Sequence, residues 1–168
     1  RVLSGEASAL PAQLAAQPCI DGDSWQWDGV RFTTWRWQQA PAGNPASCVL
    51  QVEAASGERL LLTGDIDQAA ERALLASGRD LRADWLQVPH HGSGSSSSLA
   101  FVQAVAPRAV LLSRGRYNAY GHPHPRVMAR YRALGAVVYD NVPNGTLRLL
   151  LGQYGEARGE REQRYFWR

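Results

Sequence analysis

The sequence contains no lysine. All 18 basic residues are arginine, in a chain of 168 residues with a formal net charge of +3. Arginine presents a planar fork of donors that suits phosphate groups, which favours a nucleic-acid partner. An arginine excess beside abundant alanine and glycine is also typical of GC-rich coding. The charge alone therefore does not decide between these two interpretations.

Long hydrophobic runs are also missing. No apolar stretch approaches the roughly 20 residues that a membrane-spanning helix needs, and the first residues do not resemble a signal peptide. Hydrophobic residues make up 45% and charged residues 20%, which is typical of a folded chain and excludes a disordered one. We expect a single domain over residues 1–168 that is a piece of a longer protein, because the chain starts at Arg1 without a methionine.

Cysteine is scarce, since only Cys19 and Cys48 occur. Their separation excludes a Cys-x-x-Cys redox or zinc pattern. A disulfide between them would indicate an oxidising compartment, whereas two buried free thiols would not. Both interpretations remain open on the sequence.

The order of the predicted elements indicates an α/β layered fold, with helices packed on a mixed sheet. Residues 1–24 have a linker-like composition, and residues 25–32 alternate aromatic and polar residues around Asp28-Gly29, which predicts a hairpin. The following pattern predicts strands over 47–54 and 59–63, a helix over 67–77, a strand over 84–88, a helix over 97–105, a strand over 109–113, a helix over 125–135, and strands over 136–139 and 146–151. The tail over 155–168 is charged, and we expect it to be mobile except where Tyr165, Phe166 and Trp167 dock.

Three loops that follow predicted strands carry the candidate functional residues. The first loop contains Asp65, the second contains His90, His91 and Ser93, and the third contains His122. Imidazole and carboxylate groups bind zinc or manganese while leaving positions open for water. We therefore expect the four histidine and aspartate side chains to bind a divalent metal ion and Ser93 to donate a hydrogen bond to a ligand or phosphate. The fourth histidine, His124, is expected at a helix start or on the surface.

Three runs of this sequence resemble the metallo-β-lactamase-like domain of ComEC-type DNA-internalisation proteins: L-L-L-T-G-D-I at 60–66, L-Q-V-P-H-H-G-S at 86–93 and N-A-Y-G-H-P at 118–123. The stretches at 25–32 and 47–50 and the R-Y-F-W-R ending are similar as well, so the resemblance covers nearly the whole chain. It implies the C-terminal half of an αββα sandwich. It also implies that Asp65 is a bridging metal ligand and His122 the late histidine ligand. His90 and His91 would supply a further ligand and a catalytic or phosphate-facing group, in either order.

The resemblance further implies a function. ComEC-type proteins are inner-membrane proteins that move single-stranded DNA into the cell, and this domain would be a metal-dependent nuclease acting on the strand that is not imported. The implied partners are single-stranded DNA, the rest of the membrane channel and the missing N-terminal half of the domain, and the implied location is the periplasmic side. The residues expected to contact DNA flank His122 and combine phosphate pairing with base stacking: Arg114, Arg116, Asn118 and Tyr120. Arg126, Arg130 and Arg132 are expected on a solvated helix face.

The early metal-binding signature of that family, H-x-H-x-D-H, has no counterpart here, because no histidine precedes His90. A mid-domain histidine is also lacking near Trp35-Arg36-Trp37. Either the first half of the domain lies before Arg1 or the domain is degenerate. In both cases we expect a partial or empty site where the full domain would hold one or two ions. Two alternatives therefore remain: a non-catalytic module that binds DNA or a partner, and another hydrolase of the same fold.

Overall fold

The computed structural model describes residues 2–162 and centres on a mixed sheet of seven strands. The strands are β1 (Ser24–Trp27), β2 (Val30–Trp35), β3 (Val49–Glu53), β4 (Arg59–Leu62), β5 (Trp85–Gln87), β6 (Ala109–Leu112) and β7 (Val137–Asp140). The helices are α1 (Gln68–Ala76), α2 (Leu99–Val105), α3 (Pro125–Ala133) and the short α4 (Asn141–Asn144). The predicted α/β layered fold is confirmed.

The strands follow their chain order across the sheet, and the pairing changes direction halfway. Strands β1 to β4 pair antiparallel, through hairpins. Strands β4 to β7 pair in parallel, each linked to the next by one of the helices α1, α2 and α3. The carboxyl ends of β4, β5 and β6 therefore meet at one edge, which is where polar loops gather in α/β proteins.

Local sequence signals explain the turn and the helix ends. In the hairpin between β1 and β2, Asp28 and Gly29 both have positive φ, 50° and 75°. A two-residue type I′ turn requires positive φ at both positions. The side chain of Asp67 accepts hydrogen bonds from the N–H groups of Ala69 and Ala70 and so caps α1. His124 caps α3, where Pro125 is the first helical residue, so its expected place at a helix start is confirmed.

The three long helices cover one face of the sheet. Their buried side chains pack on the inward-facing strand residues in a single core: Trp35, Val49, Leu61, Ile66, Ala70, Leu74, Leu86, Phe101, Val102, Val110, Leu112, Val127 and Tyr131 are among its members. Complete burial of one such large aliphatic or aromatic side chain stabilises a fold by about 1.5–3 kcal/mol. This core therefore holds the helices, and the loops that join them to the strands, against the sheet.

On the other face of the sheet, a chain segment packs where a strand was predicted. Only Leu147–Arg148 of the predicted strand 146–151 is extended, and it pairs with Arg158–Gly159 in a separate ribbon. The predicted strand over 146–151 was therefore wrong outside Leu147–Arg148. The reason is that Leu149 and Leu151 pack on the second core around Trp85, so the segment lies over the sheet instead of joining it.

A buried carboxylate, Glu58, fastens that segment. It accepts hydrogen bonds from Trp85 Nε1 (2.8 Å), Arg108 Nη2 (2.7 Å), the N–H of Gly152 (2.5 Å) and the N–H of Tyr154 (3.0 Å). Burial alone would raise the pKa of Glu58, but these donors outweigh it and lower the pKa below its usual value. The carboxylate is therefore charged in the folded protein.

The two cysteines form a disulfide, Cys19–Cys48, with 5.8 Å between their Cα atoms. This decides the question that the sequence left open. The bridge ties the N-terminal segment, in which Leu3–Ser4 pairs with Gln17–Pro18, to the loop that precedes β3. Tyr165, Phe166 and Trp167, whose docking was expected, lie outside the described residues. Within residues 2–162, no helix is long and apolar enough to cross a membrane.

Candidate metal centre

The predicted site residues come together at the carboxyl edge of the parallel strands. Asp65 follows β4, His90 and His91 follow β5, and the loop that contains His122 follows β6. The rings of His90 and His122 are 5.8 Å apart between centroids, and those of His90 and His91 are 6.4 Å apart. His90 is therefore close in space to both His91 and His122.

The orientation of His91 suits a metal ligand. Its Nδ1 lies 2.8 Å from the carbonyl oxygen of Ser113, which can only accept a hydrogen bond, so Nδ1 carries a proton. In the neutral ring the Nε2 atom then has a lone pair, and it lies 3.7 Å from Oδ1 of Asp65. Two ligands that are each about 2.1 Å from one ion stand up to about 4.2 Å apart. Asp65 and His91 can therefore share an ion.

His90 is held differently from His91. Its Nε2 lies 3.1 Å from the side-chain amide nitrogen of Asn44, and its Nδ1 is buried with no partner in the described part of the chain. Its backbone N–H donates to the carbonyl of Gly64 (3.1 Å). Both histidines have positive φ, 48° for His90 and 54° for His91, a conformation that costs a non-glycine residue about 1–3 kcal/mol. Contacts from neighbouring loops must therefore maintain this conformation.

His122 is partly buried beneath an aromatic ring. The ring of Tyr120 stacks on it with 5.7 Å between centroids. Burial is the main cause that lowers the pKa of His122 below its usual value, followed by the neighbouring imidazoles of His90 and His91. His122 is therefore neutral at neutral pH, which is the form of imidazole that binds metals.

Asn118, which we expected to contact substrate, clamps the backbone of His122. Its Oδ1 accepts from the N–H of His122 (2.8 Å), and its Nδ2 donates to the carbonyl oxygen of the same residue (2.9 Å). The side-chain amide of Asn118 is thereby satisfied within its own loop. Asn118 therefore supports the backbone of His122.

Ser93 is also turned into its own loop. Only 8% of the residue is exposed, and its Oγ lies 3.0 Å from Oγ of Ser95.

The serine-rich loop that follows is anchored by Glu71 of α1, a buried carboxylate that accepts hydrogen bonds from the N–H groups of Ser97 and Ser98. Burial raises the pKa of Glu71. Glu71 was not predicted as a functional residue, although a carboxylate that shares a helical face with Leu74 is a detectable signal.

The arginines near His122 have different environments. Arg114 donates from Nε and Nη2 to Oδ2 of Asp140 (3.0 and 2.7 Å), and Arg116 is exposed. Of the three arginines expected on a solvated face of α3, Arg126 and Arg132 are exposed. Arg130 is not, because its Nη1 donates to the carbonyl of Ser97 and the side chain packs towards the serine loop. That part of the expectation was wrong.

A fourth loop, residues 43–48, borders the site, where the sequence predicts only a loop over 41–45 and the start of a strand at 47. It brings Asn44 to His90, and Oγ of Ser47 accepts from the N–H of Asp65 (3.2 Å). The adjacent Gly64 has a positive φ, and a β-carbon there would lie 3.1 Å from that of Ser47. No local sequence signal indicates these contacts, because they join residues far apart in the chain.

The residues present fit part of a metal site. In the stretch from Val2 to Glu162, no group of three or more histidine, cysteine, aspartate or glutamate side chains has the spacing to hold an ion. Asp65 and His91 have the spacing and orientation of two ligands. The described residues therefore supply two of the four ligands of a tetrahedral site.

The sequence is similar to part of several known proteins. It is 43% identical to protein YcaI of Escherichia coli over 122 residues, which are 71% of this chain and 16% of that protein. It is 39% identical to competence protein ComA of Neisseria gonorrhoeae over 156 residues, which are 90% of this chain and 22% of that protein. With ComE operon protein 3 of Bacillus subtilis, the identity is 34% over 62% of this chain and 13% of that protein. The chain thus spans less than a quarter of each relative.

Two solved structures match part of this chain. A metallo-β-lactamase superfamily protein from Thermotoga maritima matches with a TM-score of 0.43 and 14% identity, over 61% of this chain and 52% of that one. The metallo-β-lactamase fold protein YhfI from Bacillus subtilis matches with a TM-score of 0.47 and 9% identity, over 80% of this chain and 57% of that one. No protein-family model matches the chain.

The fold and the site define a layered α/β domain with its polar loops gathered at the carboxyl ends of parallel strands. Its sequence relatives show which domain of this kind it is. The chain belongs to the ComEC-type competence family.

Proposed function

We propose that this chain is part of a metal-dependent DNA hydrolase within a ComEC-type uptake protein. The observation that carries the proposal is the orientation of His91, whose Nδ1 is bound to the carbonyl of Ser113 while Nε2 faces Asp65. A histidine that binds a metal characteristically donates its other ring N–H to such an acceptor. The strand that is not imported is the substrate we propose.

Asp65 and His91 are the residues that would hold the ion, zinc or manganese, and the neutral His122 lies nearby, with its ring 5.8 Å from that of His90. A bound divalent ion would polarise a phosphoryl oxygen and lower the pKa of a bound water. The ligands for the remaining coordination positions of the ion would come from another part of the longer protein. The small share of each relative that this chain covers supports that arrangement.

Exposed aromatic rings beside the site support single-stranded DNA as the substrate. Tyr117 is 91% exposed and Tyr120 is 82% exposed, and the exposed Arg116 stands next to Tyr117. Aromatic side chains stack on unpaired bases, and arginine pairs with phosphates. Bases in a duplex are already stacked, so these rings favour a single strand. Arg114 contributes less to this surface, because Asp140 binds its guanidinium.

The periplasmic side of the inner membrane is the proposed location. The Cys19–Cys48 disulfide supports it, because disulfides persist in oxidising compartments such as the bacterial periplasm. The remainder of the membrane-embedded uptake protein would then be the partner of this domain. Labelling of accessible residues in intact and permeabilised cells would test the orientation.

The central experiment measures metal binding and DNA cleavage with the same protein samples. Calorimetry with Mn²⁺ and Zn²⁺ tests binding, and a fluorescently labelled single-stranded oligonucleotide tests cleavage. The longer protein should cleave the oligonucleotide with Mn²⁺, and Asp65→Ala and His91→Ala should abolish cleavage. Cleavage at the parental rate by both variants would refute the proposal.

A second candidate is a non-catalytic module that binds DNA. It is favoured by the lack of a three-ligand cluster within residues 2–162. Under this alternative, the chain binds the oligonucleotide equally well with and without a chelator, and the longer protein does not cleave it. Metal-dependent cleavage would exclude this candidate.

A further inference from the structure

We propose that Asn44 is a positioning residue that fixes the orientation and the tautomer of His90, and thereby separates the role of His90 from that of His91. The starting observation is the contact of 3.1 Å between the side-chain amide nitrogen of Asn44 and Nε2 of His90. An amide nitrogen only donates hydrogen bonds. Nε2 of His90 is therefore the acceptor, and the proton of the neutral ring is on Nδ1, which is buried and has no acceptor among the described residues.

The two adjacent imidazoles are consequently held in opposite ways. Nε2 of His90 is occupied by Asn44, whereas Nε2 of His91 faces Asp65 because Nδ1 donates to the carbonyl of Ser113. Nε2 of His91 is therefore available to a cation, whereas Nε2 of His90 is not. The sequence could not divide the roles of these neighbours, and the contacts of their rings do.

Three loops brace this arrangement through a closed set of contacts. Ser47 Oγ accepts from the N–H of Asp65, the N–H of His90 donates to the carbonyl of Gly64, and Asn44 completes the triangle by its contact with His90. Each loop is thus bound to the two others. A positive φ at a residue with a side chain persists only where its surroundings enforce it, and this triangle surrounds His90.

The loop that carries Asn44 is itself fixed from outside. The N–H of Gly43 donates to Oε1 of Glu6 (2.6 Å), Arg36 Nε donates to the carbonyl of Ala46 (3.3 Å), and Cys48 is bound to Cys19. Asn44 therefore projects from an anchored support. An anchored amide can select one tautomer of a ring, whereas an amide on a loose loop would follow the ring.

Nitrogen NMR of histidine labelled with ¹⁵N tests the proposal directly, because protonated and bare ring nitrogens have distinct shifts. The chain is measured after chelator treatment and without DNA, so the result does not depend on the proposed hydrolase function. The chain has four histidines, and comparison with His90→Gln assigns the signals of His90. We expect a proton on Nδ1 and a bare Nε2 in His90.

Asn44→Asp is the informative variant, because it keeps the shape of the side chain and replaces the donor with acceptors. We expect it to move the proton of His90 to Nε2, and we expect Asn44→Ala to give a mixture of tautomers. Gln39→Ala, an exposed amide in the same connection, is the matched control and should change nothing. A wild-type His90 with its proton on Nε2, or an Asn44→Asp variant with the wild-type tautomer, would overturn the proposal. If Asn44→Ala does not fold, the wild-type and Asn44→Asp spectra still decide.

Discussion

The imidazole of His91 is oriented by the carbonyl oxygen of Ser113, which lies 2.8 Å from its Nδ1. This contact joins the loop after β5 to the first residue after β6, so it depends on the parallel pairing of those two strands. It leaves Nε2 directed at Asp65 across 3.7 Å. A pair of oriented ligands on rigid strand ends is the feature from which the proposed metal chemistry follows.

Replacing Asp65 with asparagine should weaken metal binding without unfolding the protein. The change removes one anionic ligand, and we expect the affinity for Mn²⁺ or Zn²⁺ to fall on the order of tenfold or more, since even the loss of a ligand's outer partner typically costs 10–100-fold. Calorimetry measures the change. Asp28→Asn, at the hairpin turn, is the control and should bind metal as the wild type does. Equal affinities for the two variants would contradict the assignment of Asp65.

Removal of the Tyr120 ring should weaken the binding of single-stranded DNA. A stacked base is worth about 1–3 kcal/mol by alanine substitution, which corresponds to a loss of about 5–150-fold in affinity. Fluorescence anisotropy with a labelled oligonucleotide measures it. Trp27 serves as the control because it is also exposed, at 75%. It pairs with Val30, which places it at the end of the sheet opposite the metal-centre loops. Trp27→Ala should therefore bind normally, and a comparable loss in both variants would argue against a stacking surface at Tyr120.

Reduction of the Cys19–Cys48 bridge should destabilise the fold. The bridge joins residues that are 29 positions apart, and closing a loop of that length stabilises a folded chain by about 3–4 kcal/mol in the chain-entropy model. Urea unfolding of the oxidised protein and of a Cys19→Ser/Cys48→Ser variant measures the difference. The oxidised protein should also contain no reactive thiol. Identical unfolding midpoints would show that the bridge does not constrain the unfolded chain.

The buried carboxyl of Glu71 should make stability fall as the pH rises. Burial is the main cause that raises its folded-state pKa above the ordinary value of 4.5. The native state therefore binds the proton more tightly than the unfolded chain does. The stability that this group contributes is present at low pH and is lost as the pH rises through the raised pKa.

A Glu71→Gln variant has no proton to lose at this position. The free energy of unfolding of the wild type, relative to this variant, should therefore decrease as the pH rises above the ordinary glutamate value. Urea unfolding at a series of pH values measures this difference. Glu58 gives a control of opposite sign, because its pKa is lowered and its contribution is lost as the pH falls. The same trend for Glu71→Gln and Glu58→Gln would refute the assignment.

Much of the fold was predictable from short-range signals. The hairpin at Asp28-Gly29 and the helix that Asp67 caps were predictable because their hydrogen bonds and backbone angles involve residues within a few positions. The strand over 146–151 was wrong for the complementary reason. Its apolar residues predicted a strand, but their packing on Trp85 and the hydrogen bond from Gly152 to Glu58 join distant parts of the chain.

The sequence by itself determined the order of strands and helices and the three loops that carry Asp65, His91 and His122, because a strand followed by a polar loop is a local pattern. Only the tertiary structure decided that Cys19 pairs with Cys48, that Glu71 anchors the serine loop and that Asn44 binds His90. Each of these contacts spans more than 20 residues, and it forms because the sheet and the helices packed on it bring separate loops together. The different contacts of the two adjacent histidine rings therefore arise from the packing of four loops.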